Sequence, residues 1–479
     1  MIKNEKRVKR GDSRLAVKVG FWYTVATFLT RGIAFITTPV FARTMTKADY
    51  GEFSNFASWQ ATLLIIVSAE LYNTLSRAYY DYKDDFNQYI SSITIGSCFL
   101  STFFYLLFIS FGNEIYRFIN IPPQYVHIMF FTMLCMSCRS IFLARERTLY
   151  RYKTVVLISV FGTLLPTIIS VIMVCIADPS FQLSARIYGF YVPSSMVGFT
   201  CAVFLILKGH TFHFEHVKYA FKIAVPLLVN YLTIYLLTST SVIITKSVLD
   251  NEQAAIVSIA TSVIHILTAL FQALSGALTT WVMDNLEQKK YEKMYKELTI
   301  YTLGISALAI GVILVAPEVV YILGGKTYME AVRLIPFFVL SVLLQSMMTV
   351  FTIILTYDKN IKETAIVAAV IAVVSIISKI YFLPITGLQT VSAVNAISFL
   401  LLFIANYFLV KKAGFSATIN IKAYSAIIIF AVILCGASFI LYDHTSIRYL
   451  VIALISICIL GFALNKRQFI NSMIRKRKR

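Results

Sequence analysis

The chain has 479 residues, of which 58% are hydrophobic and 14% charged, with a net charge of +20 and a mean hydropathy of +0.76. That apolar content exceeds what a water-soluble core buries, and in lipid only helices or closed barrels satisfy the backbone. The apolar runs are continuous, without the ten-residue alternation of a barrel strand, so the fold class is an all-α polytopic membrane protein.

The N-terminus, MIKNEKRVKRGDSRLAVKVG, is basic and leads into an apolar run too long for a signal peptide, so the first helix is expected to be retained. A bilayer core needs roughly 20 apolar residues per helix. On that measure the sequence predicts about 14 spans: 16–42, 53–76, 89–112, 125–144, 154–177, 187–207, 222–247, 254–283, 297–316, 333–357, 364–383, 388–410, 423–442 and 449–465. The longest excursions, 208–222, 284–297 and 317–332, hold at most a short amphipathic helix each, so the working parts lie within the membrane. The N-terminus, the even-numbered connections and the C-terminus carry 32 of the 43 Lys and Arg. The positive-inside bias therefore predicts both termini in the cytoplasm, with the net charge serving topology and anionic lipid heads and no nucleic-acid partner. The seven cysteines all fall inside spans with no metal spacing and read as packing residues.

Laying residues 18–60 on 222–264 without gaps aligns Lys18 with Lys222 and matches element lengths, which suggests an internal repeat. The expected organisation is an N-terminal lobe (1–210, spans 1–6), a C-terminal lobe (211–412, spans 7–12) around a central cavity, and a terminal helix pair with a basic tail (413–479).

PVFARTMTKADYGEFSNF, NTLSRAYYDYKDD, FKIAVPLLVNYLT, APEVVYILGGKTYMEAVRLIPFFVLS and FLPITGLQTVSAVNAISFLLLFIANYFLVKK, in this order along nearly the whole chain, resemble segments of the Wzx-type polysaccharide-repeat flippases. That family belongs to a superfamily that also holds multidrug exporters and lipid II flippases. The resemblance implies transport of an undecaprenyl-diphosphate-linked oligosaccharide from the cytoplasmic to the outer leaflet, for O-antigen, capsule or another polymer. It implies as partners a polysaccharide polymerase, a chain-length regulator and a coupling ion, H⁺ or Na⁺, and no cofactor. The sequence departs from the family where many relatives carry an Asp-Arg pair; here TSTSVIITKSV leaves open whether Lys246 replaces that charge.

Charged groups deep in a span are costly enough to mark functional sites. Arg31 in span 1 is the leading candidate for the diphosphate, since a guanidinium fork suits it; pairing with Glu70 of span 2 is the structural alternative. Glu70, Asn73 and Arg77 share one face of a continuous helix. Arg139 in span 4 and Lys379 in span 11 are further cavity candidates, each with snorkelling to the nearer surface as its alternative. His265, Thr268 and Gln272 share a face of span 8 suited to sugar hydroxyls or a proton path. Asn230 and Tyr235 are cavity candidates by resemblance alone. Arg43, Arg77 and Lys246, near span ends, are gate candidates.

No phosphate-cradling GxxxxGK[ST] and no clustered outer carboxylates are present, which argues against an ATPase, a hydrolase or a transferase. An organic-cation exporter of the same fold would need an acidic cavity, and Glu70 is essentially the lone intramembrane carboxylate. A polysaccharide polymerase would need a larger outer loop than 317–332 offers.

Overall fold

The computed structural model describes residues 13–358 and 361–454, and these are built from helices. In chain order they are α1 (Ser13–Thr44), α2 (Lys47–Ser68), α3 (Leu75–Asp81), α4 (Phe86–Ser110), α5 (Gly112–Ile119), α6 (Pro123–Thr148), α7 (Tyr152–Ile176) and α8 (Gln182–Gly209). A second series follows: α9 (Phe214–Val248), α10 (Asn251–Glu287), α11 (Tyr291–Leu314), α12 (Ala316–Gly324), α13 (Ile335–Tyr357), α14 (Ile361–Thr386) and α15 (Gln389–Lys412), then α16 (Ile421–Asp443). Eleven segments among the described residues are long and apolar enough to cross a membrane. The long helices coincide with the first thirteen expected spans except 53–76. Of the fourteenth, only the helix Thr445–Leu454 falls within the described residues.

The two series repeat one pattern. Two long helices joined by a tight turn are followed by a long helix, a short one at the same end, and three more long ones. The register of 204 residues that aligns 18 with 222 also aligns the two helix caps. Thr46 accepts a hydrogen bond from the Asp49 amide at 3.1 Å to start α2, and Asp250 accepts one from the Gln253 amide at 2.7 Å to start α10. It also pairs Ser54 with Ser258, whose hydroxyls meet at 2.8 Å where α2 crosses α10. The repeats thus cross at corresponding residues.

The end of the molecule that carries Thr46 and Asp250 is called here the turn face; the opposite end, with Arg145, Arg147, Arg151 and Lys289 to Lys296, the basic face. At the turn face α2 and α10 touch backbone to backbone. A Cβ on Gly51 would lie 1.7 Å from the Asn251 carbonyl oxygen, so only glycine permits this crossing.

One expected span differs. Residues 53–76 do not form one helix, because α2 stops at Ser68 and the backbone turns left-handed at Ala69 (φ 44°) and Glu70 (φ 53°), followed by a 3₁₀ turn over Leu71–Thr74 and then α3. Side chains take over the freed groups. Ser68 Oγ accepts from the Glu70 amide at 3.2 Å, and the Glu70 carboxylate accepts from Tyr72 Oη at 2.6 Å and Asn73 Nδ2 at 2.9 Å. Glu70, Asn73 and Arg77 are therefore not one helical face.

Candidate functional site

Three helices bring polar groups to one depth. Arg31 stands 13 residues before the end of α1, Tyr235 13 residues before the end of α9 and His265 14 residues after the start of α10, which places each about 20 Å from the turn face. They converge there: Arg31 lies within electrostatic reach of both Tyr235 and His265. Tyr235 in turn lies within reach of Glu70. His265 is exposed although it sits mid-helix and faces Arg31, so the two repeats enclose an open cavity between α1 and α10.

The cavity has a direction. Gln272, seven residues along the same face of α10 toward the basic face, is exposed like His265. Seven residues the other way, Ser258 is half-buried and bonded to Ser54, and Ala254 to Val257 are buried. The site is open toward the basic face and sealed toward the turn face.

Two contacts join the repeats within that seal. Lys246 of α9 donates to Glu52 Oε2 of α2 at 2.5 Å and to the Asn120 carbonyl, after α5, at 2.5 Å; the other Glu52 oxygen is buried without a donor. Arg43, at the end of α1, donates to the carbonyls of Tyr321 and Ile322 in α12 at 3.3 and 3.0 Å. Arg77 lies elsewhere, exposed on the basic face and paired with Asp81 at 3.5 Å. Asp81 also accepts from Tyr219 at the start of α9, and burial together with that carboxylate pushes the phenol up to about 12, which keeps it a donor at neutral pH.

Several side chains differ from their expected settings. Arg31 makes no ion pair with Glu70, whose Oε2 accepts from both Tyr72 and Asn73. Arg139 does not snorkel: its Nη1 donates to the Gly162 carbonyl of α7 at 3.0 Å, where a Cβ would crowd it at 2.9 Å. Lys379 does not snorkel either; it is 0% exposed, enclosed where α14 packs on α9 and α15, and so does not line the open cavity. The side chain of Asn230 lies outside the described residues.

The polysaccharide biosynthesis protein family model matches residues 16–279, more than half of the chain. The chain belongs to that family. No curated protein matches it at the level of sequence. Among solved structures, this family member is similar to the lipid II flippase MurJ in an inward closed conformation, with a TM-score of 0.72 at 15% identity over 94% of this chain and 100% of that one. It is also similar to an outward-facing multidrug resistance MATE transporter of the MOP superfamily, with a TM-score of 0.58 at 13% identity over 84% of this chain and 96% of that one. A third is a MOP superfamily transporter from Pyrococcus furiosus, TM-score 0.52, at 12% identity over 88% of this chain and 96% of that one. At such identities these likenesses establish the fold alone.

One intramembrane cation was hidden in the sequence. Arg186, which counts by position among the connection residues, is drawn into the first repeat near the start of α8. Its guanidinium carbon lies 3.6 Å from the Phe41 ring centroid and 4.3 Å from that of Phe53. Nη1 donates to Ser170 Oγ at 2.8 Å, and Nε is buried without an acceptor. No local signal marks it, because the rings that hold it come from α1 and α2, more than 130 residues earlier.

Proposed function

We propose that this family member is a flippase that moves an undecaprenyl-diphosphate-linked oligosaccharide repeat unit from the cytoplasmic to the outer leaflet of a bacterial inner membrane. The basic face is cytoplasmic, the side to which the charge bias assigns both termini, and the turn face is outer. One observation carries the reading of the cargo's charge. Arg31, at the cavity, has no carboxylate partner among the described residues, whereas the carboxylates Glu52, Glu146 and Glu318 are each paired with a cation and the buried Glu70 is held by Tyr72 and Asn73. An unpaired cation at the bilayer centre costs roughly 2.5–3.5 kcal/mol, so Arg31 is retained where an anionic cargo shares its charge. An exporter of organic cations would need the opposite balance, and Glu70 is the one carboxylate near the cavity.

Arg31 binds the diphosphate, Tyr235, His265 and Gln272 meet sugar hydroxyls, and the lipid tail stays in the bilayer between the repeats. In the state described, cargo enters from the basic face. The cycle requires the Glu52–Lys246 and Arg43–α12 contacts to open while the basic face closes, which is alternating access by rocking of two lobes, 1–210 and 211–412. Each uncompensated cation is worked on by the membrane potential at about 2.3 kcal/mol per 100 mV, a source of bias for a chain without its own ATPase motif. The test is flipping of a fluorescent undecaprenyl-diphosphate oligosaccharide in proteoliposomes by wild type, Arg31→Ala and Arg31→Lys. Loss in the Ala variant with partial retention in Lys is expected; absence of flipping by folded wild type, with or without ion gradients, refutes the reading.

A further inference from the structure

The short helix α12 is tied at both ends, and the two ties reach different parts of the chain. In its last turn the carbonyls of Tyr321 and Ile322 accept from Arg43 of α1. Near its start Glu318 Oε1 accepts from Arg448 Nη2 and, at 2.7 Å, from Tyr449 Oη, both on the helix Thr445–Leu454 that follows α16. Arg448 is 2% exposed; its Nε and Nη1 are buried with no acceptor, and Glu318 Oε2 is buried with no donor. Apolar side chains would join these helices without burying charge, but a guanidinium on a carboxylate fixes one direction and one register. Glu318 and the carbonyls that Arg43 meets are one helical turn apart, about 5 Å, so whatever places Glu318 places them too.

The first repeat shows the same latch built differently. Its short helix α5 also receives a cation from the opposite repeat, because Lys246 of α9 donates to the Asn120 carbonyl at its C-terminal end, where the helix dipole is negative. That latch has a carboxylate of its own, since Glu52 pairs with Lys246. Glu114, the third residue of α5 as Glu318 is the third of α12, is exposed. Arg43 has no carboxylate among the described residues, and its hydrogen bonds go to carbonyls, so its latch depends on where α12 stands.

We propose that Arg448 is a positioning residue for the turn-face seal: through Glu318 it holds α12 where the last-turn carbonyls meet Arg43. The terminal helix, outside the lobes 1–210 and 211–412, then sets how readily they part on that side. Removing the guanidinium releases α12 by one charge-assisted hydrogen bond, which corresponds to a shift of roughly 10- to 100-fold toward the open seal. The coupling runs through a single turn of helix and requires no contact between Arg448 and Arg43. It holds independently of what the cavity carries.

The experiment reads the seal without any cargo. His265→Cys, in a full-length chain without other cysteines, is labelled by a membrane-impermeant maleimide from the turn-face side. The rate and the Tm are compared among the chain with no further change, Arg448→Met, Arg448→Lys, Arg43→Met and the double variant Arg43→Met with Arg448→Met. Labelling should accelerate by the factor above in Arg448→Met and fall back part of the way in Arg448→Lys. The double variant should label no faster than Arg43→Met, because both changes act on one latch. A lowered Tm with unchanged labelling in Arg448→Met, or rate effects that multiply in the double variant, overturn the proposal. Glu318→Gln, which keeps the shape of the side chain and weakens the pair, decides the matter if Arg448→Met does not accumulate. Faster labelling in it supports the proposal, and an unchanged rate overturns it.

Discussion

Substituting Gly51 by alanine should hold the protein open at the turn face. The added methyl would sit 1.7 Å from the Asn251 carbonyl oxygen, 2.7 Å from its carbon and 3.2 Å from the Ala255 amide nitrogen, all of them backbone atoms of α10 that no side-chain rotation can move. Relief requires α2 and α10 to separate by about 1.5 Å, and close-packed interfaces do not yield that much without losing their contacts. Within that seal the Ser54–Ser258 hydrogen bond and the Glu52–Lys246 ion pair would be stretched beyond bonding distance. A neutral buried hydrogen bond contributes about 1 kcal/mol and a charged one about 1.5–3, so the closed state loses about 2.5–4 kcal/mol, a shift of roughly 10²- to 10³-fold toward the open one. The assay is labelling of His265→Cys, in a background without other cysteines, by a membrane-impermeant maleimide added from the turn-face side. Labelling should be slow when Gly51 is present and fast in Gly51→Ala. Equal rates in the two proteins would refute the reasoning, since they would mean that the backbone contact does not close this path.

Two further outcomes follow from single contacts. Lys246→Met leaves Glu52 buried without its cation and should cost about 3–5 kcal/mol of stability, whereas Glu52→Leu with Lys246→Met should recover most of that; Tm values of the singles and the double decide, and a double no better than either single would exclude a coupled pair. Gly162→Ala places a methyl 2.9 Å from Arg139 Nη1, a movable side-chain end, so Tm should hardly change while flipping falls as Arg139 leaves the Gly162 carbonyl; unchanged flipping would show that the seat of Arg139 is immaterial.

Much of the membrane architecture was legible in the sequence, because a helix in lipid must be long and apolar wherever it lies, and that is a property of a 20-residue window. The 204-residue register suggested by the sequence sets Thr46 opposite Asp250, both helix caps, and Ser54 opposite Ser258, whose hydroxyls meet. Arg31 stood out on depth alone, as a guanidinium in an apolar run. What remained hidden depended on partners distant in the chain or on side chains that cap a break. Nothing in SAELYNT announces two consecutive left-handed residues, since Ser68, Tyr72 and Asn73 replace the lost helix bonds only in the folded geometry. Snorkelling was open to Arg139 and Lys379 until α7 and α9 supplied carbonyls to hold them. Arg186 reads as a loop cation until Phe41 and Phe53 close over it.

The sequence by itself therefore determined that this chain is a bundle of membrane helices with cations at depth, because hydrophobic length and charge position are local quantities. Only the tertiary structure decided which cations keep their charge unpaired, which are spent on Glu52, Glu146 and Glu318, and which end of the cavity is sealed. Those are differences between neighbours across helices, and no window along the chain contains both members of such a pair as Glu52 and Lys246.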